Sequence, residues 1–341
     1  MKQQKFLIAR IDRIGDVVLS TPLPREIKNK YPDSFVALLV KNNNKDIFFN
    51  NPYVDAIITY DNADKTEKTF WELGKEIRQY KFTHSFMLLP KERLNYILFF
   101  AGIIHRVGVG HKLYQFLTFT RYVDRKKYIP LRHEADYCLD TIRKVGIPVR
   151  DINPEIFLSK DEKNEADKLR SSLSGNSKKI IGIHTSSGNS APNLNPDEYK
   201  KLIELLCRDN NLTVLVTDKE PVEEIKNIPG VKYIFGEDSL RKDIVRFAAL
   251  DLLISNSTGP MHICAALKVP TLSLFCPLTA CSPKLWGPLG NKSKIILPEQ
   301  NYCDTQCPVD PKKCDYSKPG GLTAEYIMKE LGSFINTLDP K

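Results

Sequence analysis

Short apolar runs alternate with amphipathic segments of helical length along the chain, and this alternation admits little except helices layered on parallel sheets. In the first half the runs are 5–11, 35–40, 56–60 and 83–89, with helical stretches such as 17–30 and 70–79 between them. In the second they are 179–184, 212–217, 233–235, 250–255 and 271–275, again separated by helical patterns. A chain of 341 residues is long enough for two domains of ordinary size. The reading is an α/β protein of two successive Rossmann-like units, with its ligand site expected at the carboxyl ends of the strands, in a cleft between the domains. Pro148, Pro154 and the polar stretch 171–177 interrupt the pattern between 147 and 179. The expected domains are therefore 1–155 and 156–321, followed by a segment 322–341 free to pack back on the first domain. That last segment carries a helix over 324–338, entered through the Pro319-Gly320-Gly321 turn, with Thr323 as its cap.

Several functional classes are excluded by composition. The longest apolar run, 96–104, is far short of the roughly 20 residues that a bilayer span needs. No signal-peptide pattern opens the chain, since Phe6-Leu7-Ile8-Ala9 is followed at once by Arg10, Asp12, Arg13 and Asp16, and a cytoplasmic protein is expected. Eight cysteines are too few for a disulfide scaffold at this length, and Cys138, Cys207, Cys264, Cys276 and Cys281 read as buried thiols. Cys303, Cys307 and Cys314 crowd one polar loop, but a structural zinc site needs four ligands and no His lies nearby, so no metal is assigned.

The net charge of +9 is uneven: residues 1–170 hold 30 Lys and Arg against 22 Asp and Glu, a net +8, leaving 20 against 19, a net +1, for 171–341. A basic half of this kind meets an anionic partner: nucleic acid, an anionic membrane surface or a phosphorylated acceptor. Arg121, Arg125, Lys126, Lys127 and Arg132 suit any of the three. With no helix-turn-helix, zinc-finger or RNA-binding aromatic signature beside the charge, nucleic acid is set aside. The apolar stretches 94–104 and 113–119 either rest on a membrane surface or form plain helices packed on the sheet.

Three strand-to-helix loops carry the chemistry. Ser257-Thr258-Gly259-Pro260-Met261-His262 joins two apolar runs through one short helix, with Thr258 as N-cap and Pro260 in the first turn, where its missing N–H costs nothing. The helix start offers free N–H groups and a positive dipole end, and His262 can add a donor, which together suit a nucleotide diphosphate. His184-Thr185-Ser186-Ser187-Gly188-Asn189-Ser190 follows a strand, and its N–H and hydroxyl groups can converge on phosphate oxygens. Arg10-Ile11-Asp12-Arg13-Ile14-Gly15-Asp16 ends the first strand; Asp16 is either a helix-start cap or a reactive carboxylate that the flanking arginines hold ionised. Those arginines could also hold an anionic substrate.

Together these loops resemble the heptosyltransferases of glycosyltransferase family 9, which pass heptose from ADP-heptose to the inner core of lipopolysaccharide. The resemblance rests on Arg-x-Asp-Arg-Ile-Gly-Asp-Val-Val, His-Thr-Ser-Ser, and Thr-Gly-Pro-Met-His followed by Ala-Ala-Leu-x-Val-Pro-Thr and Leu-Phe. Cys303, Cys307 and Cys314 also look like cysteines found near the family's carboxyl end. The resemblance implies a GT-B architecture and an inverting, metal-independent transfer without a cofactor, with Asp16 as catalytic base. It implies acceptor contacts at Arg10, Arg13 and Arg93 in the first domain, and a Kdo-lipid A or heptosyl-Kdo acceptor presented at the anionic inner-membrane surface. Donor contacts fall on Ser186, Ser187, Glu220, Ser257, Thr258, Gly259, Pro260, Met261 and His262. Two departures lie on the donor side: Ser257 stands where the family usually has Asp, and Asn193 where many members have Lys or Arg. They leave open another nucleotide sugar for a surface polysaccharide, or a nucleotide-sugar-binding protein with impaired catalysis.

Overall fold

The computed structural model describes residues 3–174, 179–189, 191–236, 239–307, 310 and 313–338, and it divides into two compact units, Met1–Phe157 and Leu158–Lys341. Ser190 of the hydroxyl-rich loop, residues 175–177 of the polar stretch and the side chain of Lys127 lie outside the described residues.

In the first unit, strands β1 (Lys5–Ala9), β2 (Phe35–Val40), β3 (Ala56–Thr59), β4 (His84–Met87), β5 (His105–Val109) and β6 (Arg121–Val123) form one parallel sheet in the order β3-β2-β1-β4-β5-β6. Its helices are α1 (Ile14–Val18), α2 (Pro22–Lys30), α3 (Phe70–Tyr80), α4 (Glu92–Phe100), α5 (Leu113–Leu117) and α6 (Glu134–Arg143). Alternate residues of each strand serve opposite faces. Leu7, Ala9, Ala37, Leu39 and Ile58 pack under Leu73 and Ile77 of α3 and Leu94, Ile97 and Leu98 of α4, while α2 and α6 pair on the other face. The helical pattern 17–30 resolves into two helices, because Pro22 and Pro24 supply no N–H and a new helix has to start at Pro22. Strands β5 and β6 escaped the apolar pattern. Arg106 and Gly108 sit in β5, and Arg106 is accommodated by donating to the carbonyls of Ile103 and Thr118.

The second unit repeats the plan with β7 (Lys179–His184), β8 (Leu212–Val216), β9 (Val231–Tyr233), β10 (Leu252–Asn256), β11 (Thr271–Leu274) and β12 (Ser293–Ile296) in the parallel order β12-β11-β10-β7-β8-β9. Helices α7 (Lys160–Ser174), α8 (Pro196–Cys207), α9 (Leu240–Ala248), α10 (Gly259–Ala266), α11 (Pro283–Trp286), α12 (Tyr302–Thr305) and α13 (Ala324–Ile335) complete it. Strand β9 begins two residues ahead of the expected run because Gly230, at φ +85°, turns the chain straight into Val231. Ser171, Ser172 and Ser174, expected to break the pattern, are the last turn of α7, their hydroxyls donating back to the carbonyls of Asp167, Leu169 and Arg170. Helix α13 starts at Thr323, whose hydroxyl accepts from the Tyr326 N–H at 3.3 Å. The sequence left this helix free to return to the first domain, but its stripe of Ala324, Ile327, Leu331 and Phe334 is buried in the second unit's own core, against α8.

Gly182, in the middle of β7, is imposed by packing, since a Cβ there would stand 2.5 Å from Leu250 Cδ1 and 3.2 Å from Thr217 Cγ2. Gly182→Val is therefore expected to destabilise the protein by about 1–3 kcal/mol despite valine's strand preference, read as a lower urea midpoint at unchanged slope.

Candidate active site

Where the strand order reverses between β1 and β4, the chain leaves β1 and turns into α1, which places Arg10 at the carboxyl edge of the first sheet. Arg10 is buried, and a buried charge persists only when it is paired and hydrogen-bonded. Its Nε donates to Asp12 Oδ1 at 2.8 Å, Nη2 to Asp16 Oδ1 at 2.5 Å, and Nη1 to the Leu88 carbonyl beyond β4 at 3.2 Å. Glu134, in the first turn of α6 and fully buried, accepts from Arg10 Nη2 at 3.3 Å through Oε1 and from Arg125 Nη1 at 2.6 Å through Oε2. Three carboxylates thus share two guanidiniums. Burial opposes the charge on Arg10, yet the surrounding Cys138, Asp12, Asp16 and Glu134 raise its pKa well above the ordinary arginine value. The surplus negative charge tells on Asp12: burial, with Asp16 adding to it, pushes its carboxyl up to about 6 against the pull of Arg10. Asp16 lies partly open, with Oδ1 bound by Arg10.

The remaining acceptor-side residues are not drawn into this cluster. Arg13 stands exposed at the N-cap position of α1 and is not bonded to Asp16. Arg93 donates to the Tyr60 hydroxyl at 2.6 Å and to the Lys68 carbonyl and pairs with Glu67 at 3.4 Å, tying the loop that opens α4 to the loop after β3. The basic run is partly neutralised from within. Arg125 is held by Glu134, and Arg132 pairs with Asp136 at 2.7 Å and with Asp140.

In the second unit the sheet reverses between β7 and β10, and the side chains at those two strand ends are linked. Asn256 Nδ2 donates to the Tyr199 hydroxyl at 2.7 Å and to Asn193 Oδ1 at 2.9 Å, and the Tyr199 hydroxyl donates to the His184 carbonyl at 3.3 Å. Asp218, buried at the end of β8, accepts from the Thr185 N–H at 2.8 Å and the Thr185 hydroxyl at 3.0 Å. His184 is held neutral by burial, which lowers its pKa against the opposing charge of Asp218. Thr258 occupies the N-cap position of α10 but makes no capping bond. Its buried hydroxyl has no protein partner, and neither do Ser255 Oγ or Asn256 Oδ1 at the same strand end. Met261 and His262 are buried, Gly259, Pro260 and Ser257 half-buried. Ser186 is exposed, whereas the Ser187 hydroxyl turns back to the Ala191 carbonyl at 2.8 Å. Glu220 is exposed beyond β8, and the buried carboxylate of that strand end is Asp218.

Sequence reasoning missed Glu134, Asp218 and Tyr199, and it read Arg125, which is held by Glu134, as a cation for an anionic partner. The one available sign was that Glu134 follows a run of cations, Arg121 to Arg132. Cys276 and Cys281, read as separate buried thiols, are neighbours, and a hydrogen bond from Cys276 draws Cys281 below the ordinary thiol range. Among the described residues no group of three or more His, Cys, Asp or Glu side chains has a geometry that could hold a metal ion. No helix among them is long and apolar enough to cross a membrane.

Two parallel sheets of the dinucleotide-binding strand order, each with its polar cluster at the point of reversal, define a two-unit α/β enzyme fold of the GT-B type. Residues 70–313 match glycosyltransferase family 9 (heptosyltransferase), and the chain belongs to that family; it is a glycosyltransferase. A Haemophilus influenzae protein named only at the level of glycosyltransferase is 27% identical over 311 residues, covering 86% of this chain and 88% of that protein. Lipopolysaccharide heptosyltransferase 2 of Salmonella typhimurium is 24% identical over 350 residues, covering 97% and 99%. The structure of ADP-heptose lipopolysaccharide heptosyltransferase II from E. coli superposes with a TM-score of 0.73 at 19% identity, covering 98% of this chain and 99% of that one.

Two outcomes follow from the first cluster. Glu134→Leu, which strands the Arg125 guanidinium and removes one of the three carboxylates around Arg10, is expected to cost about 3–5 kcal/mol in denaturant unfolding. Asp12 has a folded pKa above its ordinary 3.8, so its proton favours folding; that contribution is complete below about 4 and is lost as pH rises through about 6. Asp12→Asn is therefore expected to gain in Tm relative to the parent as pH is raised from about 4 to about 7.

Proposed function

We propose that this glycosyltransferase is an inverting, metal-independent heptosyltransferase that moves heptose from ADP-heptose to the inner core of lipopolysaccharide, on a Kdo-lipid A or heptosyl-Kdo acceptor. The observation that carries the reading is Asp16 held through one oxygen by buried Arg10 at the reversal point of the first sheet. An oriented carboxylate with a second oxygen to spare can take the proton of an acceptor hydroxyl. The hydroxyl oxygen then bonds to the anomeric carbon from the face opposite the departing phosphate. The bond from that carbon to the phosphate oxygen breaks, its electron pair leaves with ADP, and the anomeric configuration inverts.

In this reading the first unit holds the acceptor and the second the donor. Arg13 meets acceptor anions; Arg10, buried and fully engaged by Asp12, Asp16 and Glu134, orients Asp16 without touching the acceptor, while Arg93 ties the start of α4 to the loop after β3. The N-terminus of α10, with Gly259 and Pro260 in its first turn, offers N–H groups and roughly half a positive charge to the diphosphate, a task a metal ion would otherwise perform. Thr258 brings an unpartnered hydroxyl to the same place. Ser186 and His262 add phosphate donors, Ser187 and Met261 shape the loops behind them, and Glu220 serves the ribose or base. The names of the relatives support ADP-heptose and lipopolysaccharide as substrates. The acceptor is a lipid, so the enzyme works in the cytoplasm against the anionic face of the inner membrane. Ser257, in place of the carboxylate the family usually carries, favours a second reading in which the donor is a different nucleotide sugar.

Asp16→Asn is expected to lower kcat by about 100- to 10,000-fold. Calorimetric binding of ADP in the presence of EDTA should be unchanged in the same variant. Near-normal turnover with intact ADP binding would remove Asp16 from the role of base.

A further inference from the structure

The structure assigns the outer surface of α3, α4 and α5 to contact with an anionic lipid bilayer, an inference that rests on the reading of a lipid-anchored acceptor. The inner stripes of α3 and α4 are used up in the core by Leu73, Ile77, Leu94, Ile97 and Leu98. A second apolar set remains outside: Trp71 on α3, Phe100 and Ile104 at the end of α4, and Leu113, Phe116 and Phe119 on and after α5. Ile104, Phe116 and Phe119 are 77%, 76% and 83% exposed. Single exposed apolar side chains are ordinary, but these share one surface, because α3 packs on α4 and α4 on α5. Phe100 meets the rings of Phe70 at 5.9 Å and Trp71 at 6.5 Å, joining two of the helices by an aromatic ridge. The sequence left 94–104 and 113–119 between core helices and membrane-facing stretches. The structure divides them, with α4 turning its inner side chains into the core and α5 presenting three of its five residues to solvent.

Charge complementarity selects the partner. Between Glu92 and Asp124 the chain contains no Asp or Glu; Arg93 and Arg106 are spent inside the fold, on Glu67 and on the Ile103 and Thr118 carbonyls, which leaves Lys112 and Arg121. Lys112 and Arg121 are exposed beside the apolar side chains. A groove of about 550 Å³ runs between Phe116 and Phe119 and the stacked His111 and Tyr122 rings, which lie 4.4 Å apart, with Arg121 and Lys144 also lining it. Around α5, apolar and aromatic side chains edged by Lys112, Arg121 and Lys144, with no carboxylate lining the groove, match the boundary between acyl chains and anionic headgroups, and fit a protein partner's mixed surface less well. Phe119 is held at φ +54°, an uncommon conformation for a bulky residue, while its neighbour's N–H donates to Gln115 at 2.8 Å, and its ring is left outside.

The test is co-sedimentation of the full-length protein with vesicles of phosphatidylcholine alone or mixed with phosphatidylglycerol. Phe116→Ser/Phe119→Ser and Lys112→Glu/Arg121→Glu are compared with the parent. The parent is expected to bind the anionic vesicles at least about tenfold more tightly than the neutral ones, and each double variant to lose about tenfold or more. Transfer to a deacylated, water-soluble acceptor should be unchanged in both variants. Equal binding of the parent to both vesicles, or parent-like binding by the variants, would overturn the assignment, as would light scattering showing a dimer that the variants dissociate. Expected vesicle binding without heptose transfer would reject the proposed reaction and leave the docking surface standing. Transfer without selective binding would do the reverse.

Discussion

Everything at the carboxyl edge of the first unit's sheet depends on one buried guanidinium. Arg10 is sealed from water, and it is stable there because Asp12, Asp16, Glu134 and the Leu88 carbonyl surround it. The dependence is mutual: Glu134, fully buried, would itself be a bare charge without Arg10 and Arg125. Because the ligands come from the loop after β1, from α1, from the end of β4 and from α6, the pairing also fixes how these elements meet. The orientation of Asp16 is thus a product of long-range packing and not of its own loop.

The second unit reaches the same place in the same fold by a neutral route. Its strand ends are bound through Asn256, Tyr199 and the His184 carbonyl, and the buried carboxylate there, Asp218, accepts from Thr185 through Oδ2. What is left over is a set of buried polar atoms without protein partners, Ser255 Oγ, Asn256 Oδ1 and Thr258 Oγ1, beside a helix start. Buried groups of this kind carry a desolvation penalty that a bound polar ligand can relieve. Asn193, one of the departures from the family pattern, is bonded to Asn256 and so belongs to this network as a framework residue.

The α/β class, the two-fold repeat of the unit and the central strands were legible because fully buried parallel strands read as unbroken apolar runs. The outer strands were less so: β5, next to the edge, carries a buried Arg106, and the edge strands β6 and β9 are three residues each, too short for a periodic signal. At the site, Arg10 and Asp16 could be read from one contiguous motif. Glu134 lies 124 residues from Arg10, and no local pattern reveals a contact made through tertiary packing. Thr258 was read as a capping residue from its type; in the structure it has the position and the extended backbone of a cap without the bond, which residue type alone cannot reveal.

The central claim is that this chain transfers heptose from ADP-heptose by carboxylate chemistry, and a direct measurement is nucleotide release. Purified protein would be incubated with a heptose-deficient lipopolysaccharide core and, separately, with ADP-heptose, UDP-glucose and GDP-mannose, all in EDTA. The account predicts acceptor-dependent release of ADP from ADP-heptose, with an inverted glycosidic bond in the product. Release from one of the other donors alone, or release from ADP-heptose that EDTA abolishes, would contradict it.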